Sequence, residues 1–241
     1  MYYPSRGLCL KLRKKQECFF QYNPIIFMQS SILTKDEAKL AEHLTSIGLA
    51  HAASAFSMLT NDRVTFKKMG FNSRDFLKEE PKGGLPMQML FTPFIGDVLF
   101  DSYLIVSHQD GLKIAESIMP GMPVGEDMVK AVLLELDNII SAAVATKYAN
   151  LLQRNIAGDV PRTYRKSYAE LKQHLTERAE KFDSCYSCNT RFKLVHTKAE
   201  AEYVFFFQEG FEMMLAELAG VKGAVEDINY QANTEARRFI G

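Results

Sequence analysis

Residues 128–161, MVKAVLLELDNIISAAVATKYANLLQRNIAGDVP, decide the fold. Leu133, Leu136, Ile140, Val144 and Leu151 recur at steps of three and four residues or their sums. On a helix turning about 100° per residue they share one face, and that face must be buried. On the other side, Ala131, Glu135, Asn138, Ala142, Ala145 and Ala149 are also three or four apart, and therefore adjacent to one another. One carboxylate and one amide stand in a row of methyl groups.

A solvent-facing helix surface of this length ordinarily carries several Lys, Arg and Glu residues. Around Glu135 and Asn138 this one is bare. Small side chains let another molecule approach closely, leaving the two polar groups to project into the contact. Two readings stand at this level. The face is a docking surface, or it packs on another element of the same chain with Glu135 and Asn138 satisfied internally.

Glu135, then two residues, then Asn138, then Pro161 after a gap of twenty-two residues, resembles the signature of the CheC/CheX/FliY chemotaxis phosphatases, Asp/Ser-x3-Glu-x2-Asn-x22-Pro. Ala131 stands where that signature has Asp or Ser, so whatever that position contributes is missing. The surrounding ELDNIISAAVATKYANLL is similar to the family's second active-site helix. The resemblance implies an α/β fold of the α+β type: an antiparallel sheet with long helices, internally duplicated about a pseudo-two-fold axis, with up to two sites.

A second copy of the helix is legible upstream. Residues 35–63, KDEAKLAEHLTSIGLAHAASAFSMLTNDR, align so that His43 falls on Glu135, Ser46 on Asn138, Ala53 on Ala145, Phe56 on Tyr148 and Leu59 on Leu151. Met69 takes the place of Pro161. His43 and Ser46 supply neither a carboxylate nor an amide, so the first half is expected to hold ordinary helix residues and the second half the single intact site.

The expected organisation is an N-terminal extension without structure of its own at 1–29, a duplicated domain at 30–220 with halves 30–121 and 122–220, and a polar C-terminal tail at 221–241. Within each half the order is helix, strand, variable segment, two strands, helix. The strands are expected near 63–67, 85–93, 96–107, 155–163, 190–197 and 202–207, the shorter helices at 109–119, 168–181 and 211–219, and a helical turn at 73–78. Thr34 is the natural N-cap of the first long helix, with Asp36 and Glu37 at the positive end of its dipole.

Composition narrows the function. Lys plus Arg and Asp plus Glu number 29 each in 241 residues, leaving no overall field to attract nucleic acid or anionic lipid. With 47% hydrophobic and 24% charged residues, the chain is that of a globular protein. No apolar run reaches the ~18 to 20 residues that span a bilayer, and polar residues interrupt the N-terminal segment where a signal peptide would need a continuous apolar core. Four cysteines, Cys9, Cys18, Cys185 and Cys188, do not make a disulfide scaffold. A reducing, cytoplasmic setting is expected. The lone CxxC at 185–188 lacks the second half of a zinc site. Phosphate loops, dinucleotide turns, zinc-protease helices and nucleophile elbows are absent from the sequence.

What the resemblance implies is hydrolysis of the aspartyl phosphate of a CheY-type response regulator. Glu135 would engage the regulator's active-site lysine and Asn138 would orient the attacking water, with Ala131, Ala142, Ala145 and Pro161 in the contact. No cofactor of the chain's own is expected, since Mg²⁺ belongs to the regulator. The family also admits the deamidase CheD as a regulatory partner. The alternatives are a non-catalytic binding protein of the same fold, in the manner of flagellar motor-switch or adaptor proteins, and an unrelated small-ligand binding domain.

Overall fold

The computed structural model describes residues 33–71, 86–181, 186–208, 210–235 and 238–239. The expected extension at 1–29, the helical turn at 73–78 and Cys9, Cys18 and Cys185 lie outside them; Cys188 is buried in the core.

Helix α1 (Lys35–Thr60) starts at Thr34, whose hydroxyl accepts from the Glu37 N–H while the Glu37 carboxylate accepts from the Thr34 N–H, a reciprocal cap that satisfies two otherwise orphaned donors. Strand β1 (Val64–Phe71) follows, then β2 (Met87–Gly96), β3 (Phe100–Ser107) and α2 (His108–Ile118). The second half repeats this order with α3 (Glu126–Leu152), β4 (Ile156–Gly158), β5 (Arg162–Lys166), α4 (Tyr168–Lys181), β6 (Tyr186–Leu194), β7 (Glu200–Phe207) and α5 (Phe211–Gly220). The two long helices end alike: Asn61 and Gln153, ninety-two positions apart (153 − 61), both take the left-handed backbone conformation. The strands that follow begin ninety-two apart as well (156 − 64).

All strand pairs are antiparallel, and the order β1-β6-β7-β3-β2-β4 is the same read from either edge once halves are exchanged. The pseudo-two-fold axis passes between β7 and β3. Alternate residues of these central strands face opposite ways. Leu90, Phe94, Phe100, Leu104, Tyr203, Phe205 and Phe207 meet α1 and α3, which lie side by side on one face of the sheet. Met87, Met89, Tyr103, Ile105, Val204 and Phe206 meet Leu171, Leu175 and Ala179 of α4 on the other. Arg178 of α4 also bonds the buried Asp101 of β3.

Three sequence expectations are corrected. The turn placed near Thr92 and Pro93 lies at residues 97–99, because Pro93 sits inside β2 opposite Asp101. The strand expected at 155–163 is broken into β4 and β5, both paired to β2. The tail expected at 221–241 contains a packed helix, α6 (Ala224–Thr234), which buries Ile228 and Ala232, and beyond it the Phe239 carbonyl accepts from the Phe66 N–H on the edge of β1. A period-four apolar pair, Ile228 and Ala232, was the available signal; the polar residues around it concealed an amphipathic helix. No helix among the described residues is long and apolar enough to cross a membrane.

Candidate functional site

Helix α3 buries Val129, Leu133, Leu136, Ile140, Val144 and Tyr148; Leu151 is half-buried. Its opposite face is open. Ala131, Glu135, Asn138 and Ala142 are exposed, and neither Glu135 nor Asn138 is bonded to another described residue. Glu135 and Asn138 are therefore not satisfied internally among the described residues. Ala145, expected on the same contact surface, is 4% exposed and belongs to the core. The reason is rotational: it lies one turn beyond Ser141, in the row against which β4 packs, and a Cβ built on Gly158 would meet Ser141 Cβ at 3.7 Å.

Pro161 reaches this face through the path of the β4–β5 strand. Gly158 lies against Ser141, and Arg165 pairs with Glu126 at 3.2 Å, so the chain between them runs antiparallel to α3. Fifteen helical steps from Glu126 to Ser141 cover ~22 Å, and seven extended steps from Gly158 to Arg165 cover ~23 Å. Val160 and half-buried Pro161 consequently fall level with the helix turn that carries Glu135 and Asn138.

The strand breaks at that point for a definable reason. Phe94 pairs with Gly158 and Phe91 with Arg162, so two residues of β2, Thr92 and Pro93, face three, Asp159, Val160 and Pro161. This is a one-residue bulge, made at a proline on each strand where neither can donate to the ladder. It leaves Val160 73% exposed beside the candidate site. Met128, 39% exposed, sits two turns before Glu135 on the same side of the helix. Met128 and Val160 give the polar pair an apolar rim that sequence periodicity did not single out.

Asp137 is not singled out by the sequence pattern. Between Glu135 and Asn138 in sequence, it points the other way and is fully buried, where Thr92 Oγ1 donates to its Oδ2 at 2.7 Å. Burial raises its carboxyl to about 7, with the Thr92 hydrogen bond opposing.

The equivalent face of α1 is differently furnished. His43 is half-buried, its Nδ1 2.5 Å from Asn229 Oδ1 on α6, and buried Ser46 donates to the Glu42 carbonyl. Helix α6 lies over it, held further by Glu235, which meets His51 of α1 and Lys147 of α3, each at 3.1 Å.

No protein-family profile matches the chain, and no curated protein sequence matches it. Solved structures do. FliY of Thermotoga maritima superposes with a TM-score of 0.57 at 13% identity, covering 77% of this chain and 96% of that one. The chemotaxis protein CheX of Borrelia burgdorferi, solved in complex with CheY, BeF3 and Mg, gives 0.48 at 13% identity, with 68% and 97% covered. The FliM middle domain from H. pylori gives 0.49 at 8% identity, with 77% and 99% covered. With its two-fold antiparallel sheet, paired long helices and this likeness to FliY, the chain has the fold of the CheC/CheX/FliY proteins.

Proposed function

We propose that this chain is a CheC-like phosphatase that accelerates hydrolysis of the aspartyl phosphate of a CheY-type response regulator in chemotaxis signalling, in the cytoplasm, through one site on α3. The observation that carries the reading is that Glu135 and Asn138 project side by side from an otherwise small-residue face, unbonded within the described chain. A regulator that already holds its phosphoryl group and Mg²⁺ lacks only an oriented water. Asn138 is an amide that can hold that water in line with the scissile bond, and positioning is a large share of phosphoryl-transfer catalysis. Glu135, one turn away, pairs with the regulator's lysine and fixes the register of docking. Ala131 and Ala142 admit the partner's backbone; Met128 and Val160 contribute apolar contact at the rim. In this reading Mg²⁺ belongs to the regulator; among the described residues no cluster of His, Cys, Asp or Glu could hold a metal ion.

The test is phosphate release from response regulators of the same genome, loaded with acetyl phosphate, with and without the full chain. Faster release on one regulator supports the proposal. A regulator that binds without acceleration favours the non-catalytic alternative, to which the alanine at position 131 already points.

A further inference from the structure

The turn that presents Glu135 and Asn138 is fastened from beneath by a group with no surface role. Asp137 is fully buried; one carboxyl oxygen accepts from Thr92 Oγ1 at 2.7 Å, and the other finds no donor among the described residues. Thr92 is one of the two β2 residues opposite the Asp159–Pro161 bulge. A Cβ on Gly158, at the bulge's edge, would touch Thr92 Cγ2 at 3.5 Å as well as Ser141 on α3. One hydrogen bond thus joins the helix turn to the strand position that shapes the bulge.

Among the described residues the groups that act on Asp137 are Thr92 from β2 and Tyr203 from β7, whose phenol is pushed up by burial and then by the Asp137 charge, with Ser102 of β3 and Ser141 of α3 opposing. No cation is among them. A buried carboxylate with no counter-ion is costly, so the site favours the neutral acid, and burial holds its titration at about 7.

We propose that Asp137 is a positioning residue, its bond to Thr92 locking the turn that presents Glu135 and Asn138 against the bulge that presents Val160 and Pro161. This rests on the phosphatase reading for its consequence, though the lock itself does not. Ionisation strengthens the Thr92 bond itself, which favours the charged form, but it makes the donorless oxygen a buried, unpaired charge; the water that must enter to solvate it parts the turn from β2, and Asn138 no longer holds the attacking water in line. The lock makes the site sensitive to pH near neutrality.

Two measurements separate the lock from the chemistry. In the full chain alone, hydrogen-exchange protection of segments 134–139 and 158–162 is compared for the wild type at pH 6 and pH 8, and for Thr92→Val, Thr92→Ser and Asp137→Asn. The lock predicts lower protection in both segments for Thr92→Val and for the wild type at pH 8, with Thr92→Ser preserved and Asp137→Asn unaffected by pH. Unchanged protection in Thr92→Val overturns the lock whatever the activity. On a phosphorylated regulator, corrected for its own hydrolysis at each pH, Thr92→Val is expected to lose about tenfold in kcat with KM within about threefold. Wild-type kcat should fall across pH 7 while that of Asp137→Asn stays flat. A folded Thr92→Val with wild-type kcat sinks the positioning role. A wild type that accelerates no regulator, with protection still lost in Thr92→Val, sinks the phosphatase reading and leaves the lock standing.

Discussion

Gly48 of α1 faces the ring of Tyr148 in α3 so closely that a Cβ at position 48 would come within 3 Å of Tyr148 Oη, Cζ and Cε1. The pseudo-symmetric helices meet where one has no side chain and the other its largest. On the sheet side the same ring packs edge-on to Phe100, with centroids 5.7 Å apart, which opposes its retreat from α1.

Gly48→Ala should therefore destabilise the protein by about 1–2 kcal/mol, overpacking outweighing the ~1 kcal/mol that alanine gains in a helix. Tyr148 Oη is buried without a hydrogen-bond partner among the described residues, so Tyr148→Phe is expected to be neutral or stabilising by up to ~1 kcal/mol. Combined with Tyr148→Phe, the Gly48→Ala cost should shrink. Additive urea-unfolding free energies across the four proteins would show that the two positions do not press on each other.

The helices, the duplication and the strand pattern were legible because each rests on a local period. Three-four spacing sets the buried faces of α1 and α3, and the ninety-two-residue offset places His43 on Glu135 within the sequence itself. Features that depend on a second segment were not legible. Ala145 reads like Ala142 until the fold buries it in the core. Asp137 looks like one more polar residue of a surface helix until Thr92 is found beneath it. Asn229 and Glu235 gain a role only because α6 folds over α1. In each case a long-range contact decides what the local pattern leaves equivalent.

His43 and Ser46 are engaged by the chain itself, through Asn229 and the Glu42 carbonyl. Replacing both with Ala should leave regulator dephosphorylation within about a factor of three. Stability should fall by about 1 kcal/mol as the bond to α6 is lost. A rate loss far beyond threefold in a folded double variant would mean that the α1 face takes part in catalysis.

Asp137 makes a stability prediction independent of any partner. Unfolded, its acid titrates near the ordinary 3.8; folded, it holds its proton to about 7. Between those values the folded state binds more protons, so this contribution is full below pH ~4 and is lost as pH rises through about 7. Its size is on the order of 4 kcal/mol. The wild type should therefore lose stability relative to Asp137→Asn as pH climbs from 4 to 8, read from paired urea melts in which other titrations cancel. A difference that stays constant over that range would show that Asp137 is ionised in the folded protein throughout.

Glu135 and Asn138 should fail in different ways because the proposed mechanism gives them different work. Asn138→Ala removes the amide that holds the water but leaves the docking face intact. Turnover should drop by about tenfold or more while binding to the phosphorylated regulator is kept. Glu135→Ala removes the charge partner of the regulator's lysine and should weaken binding as well as turnover. Glu135→Lys should be worse still, since two ammonium groups then meet in the contact. Ala142→Arg, on the same exposed face, should block approach altogether. Affinity measured by titration calorimetry against a beryllofluoride-loaded regulator, beside the phosphate-release rate, separates the two classes. Full activity of Asn138→Ala towards every regulator that the wild type dephosphorylates would overturn the water-positioning role, with the fold untouched.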